Sequence, residues 1–285
     1  MTRFLIYDVF TDRPFGGNPL GVIPNATETP EDQLQKIARE FNFSETTFVY
    51  PPKDPSHTAR VRIFTPTREI PFAGHPVIGT AVALHDLGQG TKMTFELGVG
   101  PIAVEAEDGM ASFTATQPLE RGGHPSPEAV AACTGLDADD IRTDQMAPIQ
   151  AGLGLEMAFA ELRDLDALIR ANPVTDAFRS AARAYPTKLD FALMVYVRDG
   201  GTIQARMFAP LDNIPEDPAT GSAAAALSAL LAEADGRASR FVIHQGKEMG
   251  RPSRIETDVV LHAGQTAAVT VSGQAVSVAE GVLTL

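Results

Sequence analysis

The chain has very little cysteine, no tryptophan and a shortage of positive charge. Its 285 residues include one Cys and no Trp, and 23 Lys and Arg stand against 36 Asp and Glu, which gives a formal net charge of −13. A single cysteine, Cys133, excludes an internal disulfide and any multi-cysteine metal site. We interpret Cys133 as a small buried residue on a helix, because free cysteine is among the most frequently buried residue types.

The charge balance and the short apolar runs exclude further classes of protein. A net charge of −13 repels a phosphate backbone, and no basic stripe offsets it, so we expect no nucleic-acid partner. No apolar stretch approaches the ~18 residues that cross a bilayer, and the segment MTRFLIYDVFTDRPF lacks a secretory apolar region. We therefore expect no membrane partner and a cytoplasmic location. Small anionic substrates remain compatible with this charge, because a pocket can be locally positive.

Two segments half a chain apart resemble each other and predict an internal duplication. Residues 58–84 read TARVRIFTPTREIPFAGHPVIGTAVAL, and residues 202–227 read TIQARMFAPLDNIPEDPATGSAAAAL. At an offset of 144, five residues recur: Arg62, Phe64, Pro66, Ile70 and Pro71 match Arg206, Phe208, Pro210, Ile214 and Pro215. A slip of two residues then aligns Gly79-Thr80-Ala81 with Gly221-Ser222-Ala223. The alternative is chance similarity in a sequence rich in Ala and Pro.

Each copy follows the order strand, loop, helix. The predicted strands alternate in polarity, and the predicted helices, Val77–Leu87 and Ala223–Ala232, are apolar on nearly all sides, which is typical of a helix buried all round. Gly88 and Gly236 are expected to end them. Most of the remaining chain reads as short strands, including one from Thr94 to Glu105. A sheet curled around a central helix would bury both sets of apolar faces.

Two peripheral helices and a linker complete the predicted organisation. The helices are expected at Pro30–Phe41, capped by Thr29, and at Ser126–Cys133, capped by Ser126. The stretch 117–127, QPLERGGHPSP, is the expected linker between the halves.

Both buried helices follow loops with polar residues, Ala73-Gly74-His75-Pro76 and Glu216 to Ser222. A helix amino terminus has unpaired N–H groups and a partial positive charge, so it suits a carboxylate. Glycines in such loops allow a substrate to approach the backbone closely. Taken alone, each loop is equally well explained as an ordinary turn.

Four segments together resemble a known family. FTDRPFGGNPLGV (10–22), AREFNFSETTFV (38–49), RIFTPTREIPFAGHPVIGTA (62–81) and EDPATGSA (216–223) resemble, in order and separation, the signature segments of the phenazine-biosynthesis PhzF-like family of isomerases and epimerases. The resemblance spans nearly the whole chain. It implies an α+β, diaminopimelate-epimerase-like fold of two pseudo-symmetric halves, each a mostly antiparallel sheet wrapped around a buried central helix. The expected halves are 1–117 and 118–274, with a last strand near 275–285 returning to the first half and an active-site cleft between them.

The resemblance also implies an activity and a set of site residues. The family type member is an isomerase that moves a proton between carbons of a dihydro-hydroxyanthranilate without a metal or an organic cofactor, and a homodimer is expected. We therefore expect a small anionic, carboxylate-bearing metabolite as substrate and no cofactor. By resemblance, Glu45 is the general acid/base, His75 and Asp217 are its catalytic partners, and the substrate contacts are Ser44, Gly74, Gly221 and Ser222.

The chemistry of these residue types agrees with the implied roles, although simpler readings stay open. Removing a proton from carbon needs a base held close to the C–H bond, and a carboxyl group that is partly desolvated gains basicity. Glu45 could equally be a solvent-facing residue at the start of a strand, and His75 and Asp217 could be helix caps. Because the chain has one cysteine, a two-thiol racemase of this fold is excluded. The other histidines lack the spacing of metal ligands.

Two other functions are compatible with the sequence. A protein of the same fold could keep the pocket as a binding or interaction device without turnover, because fold does not determine function. A lyase or hydratase could use the same acid/base group, since proton abstraction next to a carboxylate begins all of these reactions.

Overall fold

The computed structural model describes residues 1–187 and 190–285, which form seventeen strands and six helices. The strands are β1 Thr2–Val9, β2 Asn18–Ile23, β3 Glu45–Tyr50, β4 Ala59–Phe64, β5 Glu69–Ile70, β6 Lys92–Leu97, β7 Gly100–Glu107, β8 Met110–Ala115, β9 Glu120–Arg121, β10 Ile149–Gly152, β11 Glu156–Glu161, β12 Leu193–Asp199, β13 Thr202–Ala209, β14 Ile214–Asp217, β15 Ser239–Gln245, β16 Ser253–His262 and β17 Gln265–Leu283. The helices are α1 Glu31–Phe41, α2 Gly74–Asp86, α3 Pro127–Thr134, α4 Leu165–Arg170, α5 Thr175–Ala184 and α6 Gly221–Asp235.

The described chain divides into two compact units. Unit 1 comprises residues 1–114 and 271–285, and unit 2 comprises residues 115–270. The sequence-based prediction puts these boundaries after residues 117 and 274. The long strand β17 therefore contributes its second part to unit 1.

Unit 1 is a ring of strands closed around α2. The strand β1 pairs with β17 and β2, and β2 pairs in parallel with β3. From β3 the sheet continues through β4, β6, β7 and β8, and β8 pairs back with β17. Helix α2 packs on β1, β2, β3 and β7, and its first eleven residues are all buried. A helix that is apolar on every side finds apolar partners on every side only inside such a ring.

Unit 2 repeats this architecture around α6. Its sheet runs β9, β10, β11, β12, β13, β15 and β16, with β14 paired to β13, and only the pairs β11–β12 and β13–β15 are parallel among the pairings described. Helix α6 packs on β10, β15 and β16, and ten consecutive residues, Ala223–Ala232, are buried. A second core between this sheet and the helices α3, α4 and α5 includes the buried Cys133. The predicted fold class is therefore confirmed.

The helix boundaries differ from the prediction in ways that matter for the site. Helix α2 begins at Gly74 and α6 at Gly221, so His75 and Ser222 are the second residues of their helices. Pro76 is the third residue of α2. It is tolerated there because the N–H groups of the first helical turn have no hydrogen-bond partner within the helix, so the missing N–H costs no bond. Ser126 caps α3 as predicted, accepting a bond from the Ala129 N–H at 3.2 Å. Thr29 does not cap α1, whose N-cap is Pro30 without a side-chain bond.

Two other sequence-based assignments are wrong, and one helical stretch has no counterpart in the prediction. The predicted strand Thr94–Glu105 is the hairpin of β6 and β7, which turns at residues 98–99 and enters β7 at Gly100 with φ +111°. The predicted linker contains β9, which pairs with β10. Residues 165–184 were assigned no element but form α4 and α5. Asp164 caps α4 by accepting from the Ala167 N–H at 2.9 Å.

The two units share an arginine arrangement that establishes the repeat. Arg62 stacks over Phe64 at 5.1 Å, and Arg206 stacks over Phe208 at 5.0 Å. Each arginine also pairs with a glutamate on the next short strand, Glu69 in β5 and Glu216 in β14. The stacked pairs are 144 residues apart, whereas the glutamates are 147 residues apart.

Unit 2 therefore has three extra residues between its stacked phenylalanine and its glutamate, in a segment that contains a 3-10 turn, Pro210–Asp212. The strand register agrees, because Ile63 faces Ile70 in unit 1 and Met207 faces Asp217 in unit 2. From here on, Ile70 corresponds to Asp217 and Gly74 to Gly221. The predicted matches of Ile70 and Pro71 with Ile214 and Pro215, and of Gly79 with Gly221, are wrong, since the slip is three residues and occurs earlier.

Removing the glutamate should destabilise unit 2 more than unit 1. Arg206 and Glu216 are 8% and 13% exposed, whereas Arg62 is 20% exposed and keeps a second partner, Glu31. We expect Glu216→Ala to lower the free energy of unfolding by about 3 kcal/mol, because it leaves a buried guanidinium group without a counter-charge, bonded, among the described residues, only to backbone carbonyls of residues 168–171. Glu69→Ala is the matched control, with an expected loss of about 1 kcal/mol or less. Equal losses in urea unfolding would contradict this assignment.

Candidate functional site

Glu45 is the first residue of β3 and lies on the face of the sheet that covers α2. Side chains alternate along a strand, and Thr47, two residues on, bonds Thr80 of α2 at 2.9 Å. Leu20, the parallel partner of Glu45 on β2, also reaches α2, because a Cβ on Gly79 would lie 2.6 Å from it. The side chain of Glu45 is 14% exposed. Its carboxyl group therefore belongs to the interior of unit 1, not to the outer surface.

His75 lies in the first turn of α2 and faces this carboxyl group. Its Nδ1 atom is 3.3 Å from Oε2 of Glu45 and 3.4 Å from Nδ2 of Asn18. Asn18 is fully buried at the start of β2, two residues before Leu20 and hence on the same face. The other ring nitrogen, Nε2, is buried and has no hydrogen-bond partner among the described residues. Three polar side chains from β2, β3 and α2 thus meet inside a ring whose interior is mainly apolar.

Burial keeps the imidazole of His75 neutral. The side chain is 4% exposed, and desolvation lowers the pKa of His75 to about 3, although a hydrogen bond to the Pro19 backbone acts in the opposite direction. At neutral pH the contact with Glu45 is therefore one between a carboxyl group and an uncharged ring, not an ion pair. A neutral imidazole can donate or accept at Nδ1 according to its tautomer.

In unit 2, Asp217 ends β14 and is nearly buried. Its carboxylate accepts a hydrogen bond of 2.5 Å from the Thr220 hydroxyl. The buried Gln245 holds this loop, because its amide group donates to the Asp217 carbonyl at 2.7 Å and to the Thr220 hydroxyl at 3.1 Å. Gly221 and Ser222 open α6 directly after this loop, Gly221 buried and Ser222 half-buried.

The structure thus places the predicted site residues in two sets. In unit 1 it brings Glu45 and His75 into contact, with Gly74 buried beside His75 in the chain and Ser44 half-buried before Glu45. In unit 2, Asp217, Gly221 and Ser222 lie in one loop and the helix start that follows it. Neither His75 nor Asp217 is a helix cap, since the N-caps are Ala73 and Thr220.

Two polar residues of these sets were missed in the sequence. Asn18 stands in the segment GGNP, and its place before an alternating strand could have indicated an inward-facing polar side chain. Gln245 has no such signal, because its role depends on a loop 28 residues earlier.

Comparison with known proteins gives the family of this chain. The family model described as "Phenazine biosynthesis-like protein" (PhzC-PhzF) matches residues 7–281. The chain belongs to the PhzC-PhzF family. Among its relatives, an uncharacterized isomerase of Mesorhizobium japonicum is 37% identical over 99% of this chain and 98% of its own. The trans-2,3-dihydro-3-hydroxyanthranilate isomerase of Pseudomonas aeruginosa is 34% identical, and the match covers 99% of each chain.

Solved structures agree with this PhzC-PhzF assignment. The crystal structure of the Bacillus anthracis phenazine biosynthesis protein of the PhzF family superposes with a TM-score of 0.87, at 26% identity and 99% coverage of both chains. Like its named relatives, this PhzC-PhzF protein is an isomerase.

Two features are absent from the described residues of this family member. No three His, Cys, Asp or Glu side chains there are grouped as a metal ion would need. Among the helices described, none has both the length and the apolar character to cross a membrane.

The neutral His75 predicts an acid-sensitive stability. Its folded pKa of about 3 lies below the ordinary value of 6.5, so between these values the unfolded chain binds more protons and stability rises with pH. We expect wild type to lose up to about 5 kcal/mol from this group as the pH falls from 7 to 3. His75→Gln removes the group. Urea unfolding across this pH range gives the free energy of unfolding of both proteins, and the difference between the two values should become smaller toward pH 3. Free energies that fall in parallel with pH would contradict the burial of a neutral ring.

Proposed function

We propose that the protein moves a proton between two carbons of a small carboxylate-bearing substrate, with Glu45 as the general acid/base and without a cofactor. The observation that carries this proposal is the contact between the Glu45 carboxyl group and the buried, neutral His75. The ring of His75 does not take up a proton until about pH 3. Of these two groups, Glu45 is therefore the one suited to accept and return a proton near neutral pH.

Asn18 and His75 support Glu45 as positioning residues in this proposal. Asn18 contacts Nδ1 of His75 at 3.4 Å, the same atom that faces Glu45 at 3.3 Å. Because the Glu45 side chain is only 14% exposed and packs beside the buried His75, its carboxyl group has little room to move, which favours a near-attack arrangement. An imidazolium at this place would favour the ionised carboxylate and weaken it as a base, whereas a neutral ring does not.

The first turn of α2 favours a carboxylate on the substrate. This turn has no side-chain cap and no acidic residue, so its N–H groups and the positive end of the helix dipole suit an anion. Because relatives of this chain are named for a dihydro-hydroxyanthranilate, that amino acid is the first substrate to test. Ser44 and Gly74 flank the proposed base in the chain and stay predicted substrate contacts. Asp217, Gly221 and Ser222 of unit 2 stay predicted site residues.

The proposed reaction balances without an external reagent. The Glu45 carboxylate takes a proton from a substrate C–H bond, and the electron pair of that bond moves into the adjacent unsaturated system. The same carboxyl group then returns the proton to another carbon of that system. No electrons leave the substrate and no group is transferred, so neither oxidant nor reductant is required.

Glu45→Gln tests this role. The amide has the same shape but cannot accept the proton, so we expect turnover of trans-2,3-dihydro-3-hydroxyanthranilate to fall by about 10²–10⁴-fold. Exchange of its C–H protons with solvent deuterium should be lost in parallel, as followed by proton NMR. Ligand affinity and the unfolding midpoint should stay close to those of wild type.

Glu40→Gln is the matched control, because Glu40 is an exposed residue of α1 and removes the same charge from the same unit. It should retain full turnover. Undiminished exchange in the Glu45→Gln protein would end the proposal, and a product of elimination or hydration would reassign the reaction to a lyase or hydratase.

A further inference from the structure

Arg60 forms no ion pair within the described residues, unlike its neighbour Arg62 on the same face of β4. The pKa of Glu31 is lowered mainly by its bonds to Arg62 and only to a smaller extent by the charge of Arg60. Arg62 makes four hydrogen bonds of 2.6 to 2.8 Å to Glu31 and Glu69. Within the described part of the chain, Arg60 makes no side-chain hydrogen bond or ion pair, and its Nε atom is buried without a partner. Its guanidinium group stacks on the Tyr50 ring at 4.7 Å. Stacking offsets part of the lost hydration but leaves the N–H donors unused.

The repeated framework does not need a charge at this position. At the offset of 144 that relates β4 to β13, Arg62 corresponds to Arg206 and Arg60 corresponds to Gln204. The paired arginine is thus present in both units, whereas the unpaired one occurs in unit 1 alone. A feature that the fold does not require, in a protein with a net charge of −13, calls for a separate explanation.

Arg60 lines a cavity of about 1110 Å³ within unit 1. By exposed area the cavity walls are mainly apolar, and they include Val61, Ile70, Pro71 and Leu97, while seven of the fifteen lining residues are charged or titratable. A concave surface with apolar walls and charged groups that can orient a ligand is the usual form of a small-molecule site.

The acidic residues around the cavity are already engaged, so none of them neutralises Arg60. Glu96 accepts the backbone N–H groups of Lys53 and Asp54 at 2.9 and 2.8 Å, and His57 lies 3.1 Å from it. The Asp54 carboxylate accepts from the backbone and hydroxyl of Ser56. Glu69, as described above, belongs to Arg62. Of the two guanidinium groups that line the cavity, that of Arg60 therefore keeps unused donors, and its planar fork matches a carboxylate. The exposed Lys53 is a further cation in the lining.

We infer that this cavity is a second ligand site, which binds a small carboxylate with an apolar body. The anionic group would accept hydrogen bonds from Arg60, and the body would lie against the apolar wall. This site is separate from Glu45, because Arg60 pairs with Tyr50 at the opposite end of β3, roughly 16 Å away at ~3.3 Å per residue. The inference does not rest on the proposed function.

Benzoate and benzyl alcohol form a matched pair of probes, since they share the ring and differ in charge. Titration calorimetry of the full chain should show that benzoate binds and that benzyl alcohol binds at least about ten-fold more weakly. Arg60→Gln should weaken benzoate by a similar factor and leave benzyl alcohol unchanged. This variant should fold, because the other unit carries Gln204 at the equivalent position. Arg39→Gln, at an exposed residue of α1, should bind benzoate like wild type.

Glu45→Gln separates this site from the proposed catalytic one and should bind benzoate like wild type. Loss of benzoate binding in Glu45→Gln together with retention in Arg60→Gln would assign the ligand to the Glu45 site and overturn the inference. Equal affinity for the two probes, no binding of benzoate at ~10 mM, or unchanged binding in Arg60→Gln would overturn it as well.

Discussion

The burial of α2 inside its ring of strands is the constraint on which the site of unit 1 depends. A helix without a polar side can be stabilised only where apolar side chains surround it, and the ring from β17 to β8 provides this environment. The same enclosure removes water from the first turn of α2. His75 is therefore desolvated and neutral, and its partners, Glu45 and Asn18, are drawn from the strands that enclose the helix.

Duplication has preserved this framework while its polar residues diverged. The arginine stacked on a phenylalanine and paired with a glutamate recurs in both units, and it ties one sheet strand to the short strand before each buried helix. Next to that shared feature the residues differ in polarity, because the position of Ile70 in unit 1 is occupied by Asp217 in unit 2. Because the paired arginines stabilise the framework, the neighbouring positions can change without loss of the fold, and each unit has acquired its own set of polar groups.

The sequence predicts those features that local pattern determines. The buried helices follow from their uniform apolar character, and Glu45 and His75 follow from segments that resemble a family. The helix starts were misplaced because Gly74 and Pro76 read as turn residues, although both fit a first helical turn. The three-residue insertion between the repeats was placed wrongly because Pro71 and Pro215 match by chance. The correct alignment follows from the strand register, which cannot be read from the sequence. The roles of Asn18 and Arg60 could not be predicted, because they depend on residues that are distant in the sequence. Asn18 contacts His75, 57 positions away, and Arg60 is notable because no acidic side chain in the described part of the chain forms an ion pair with it.

A neutral imidazole suits a carboxyl group that must change its protonation state during each turnover. While Glu45 is ionised, Nδ1 of His75 can donate to it, and once Glu45 holds the substrate proton, the other tautomer lets Nδ1 accept from it. A permanently charged neighbour would instead stabilise one state of the carboxyl group and raise the barrier to reaching the other. The depth at which α2 is buried thus serves the proposed chemistry directly, because it keeps His75 uncharged in both halves of the cycle.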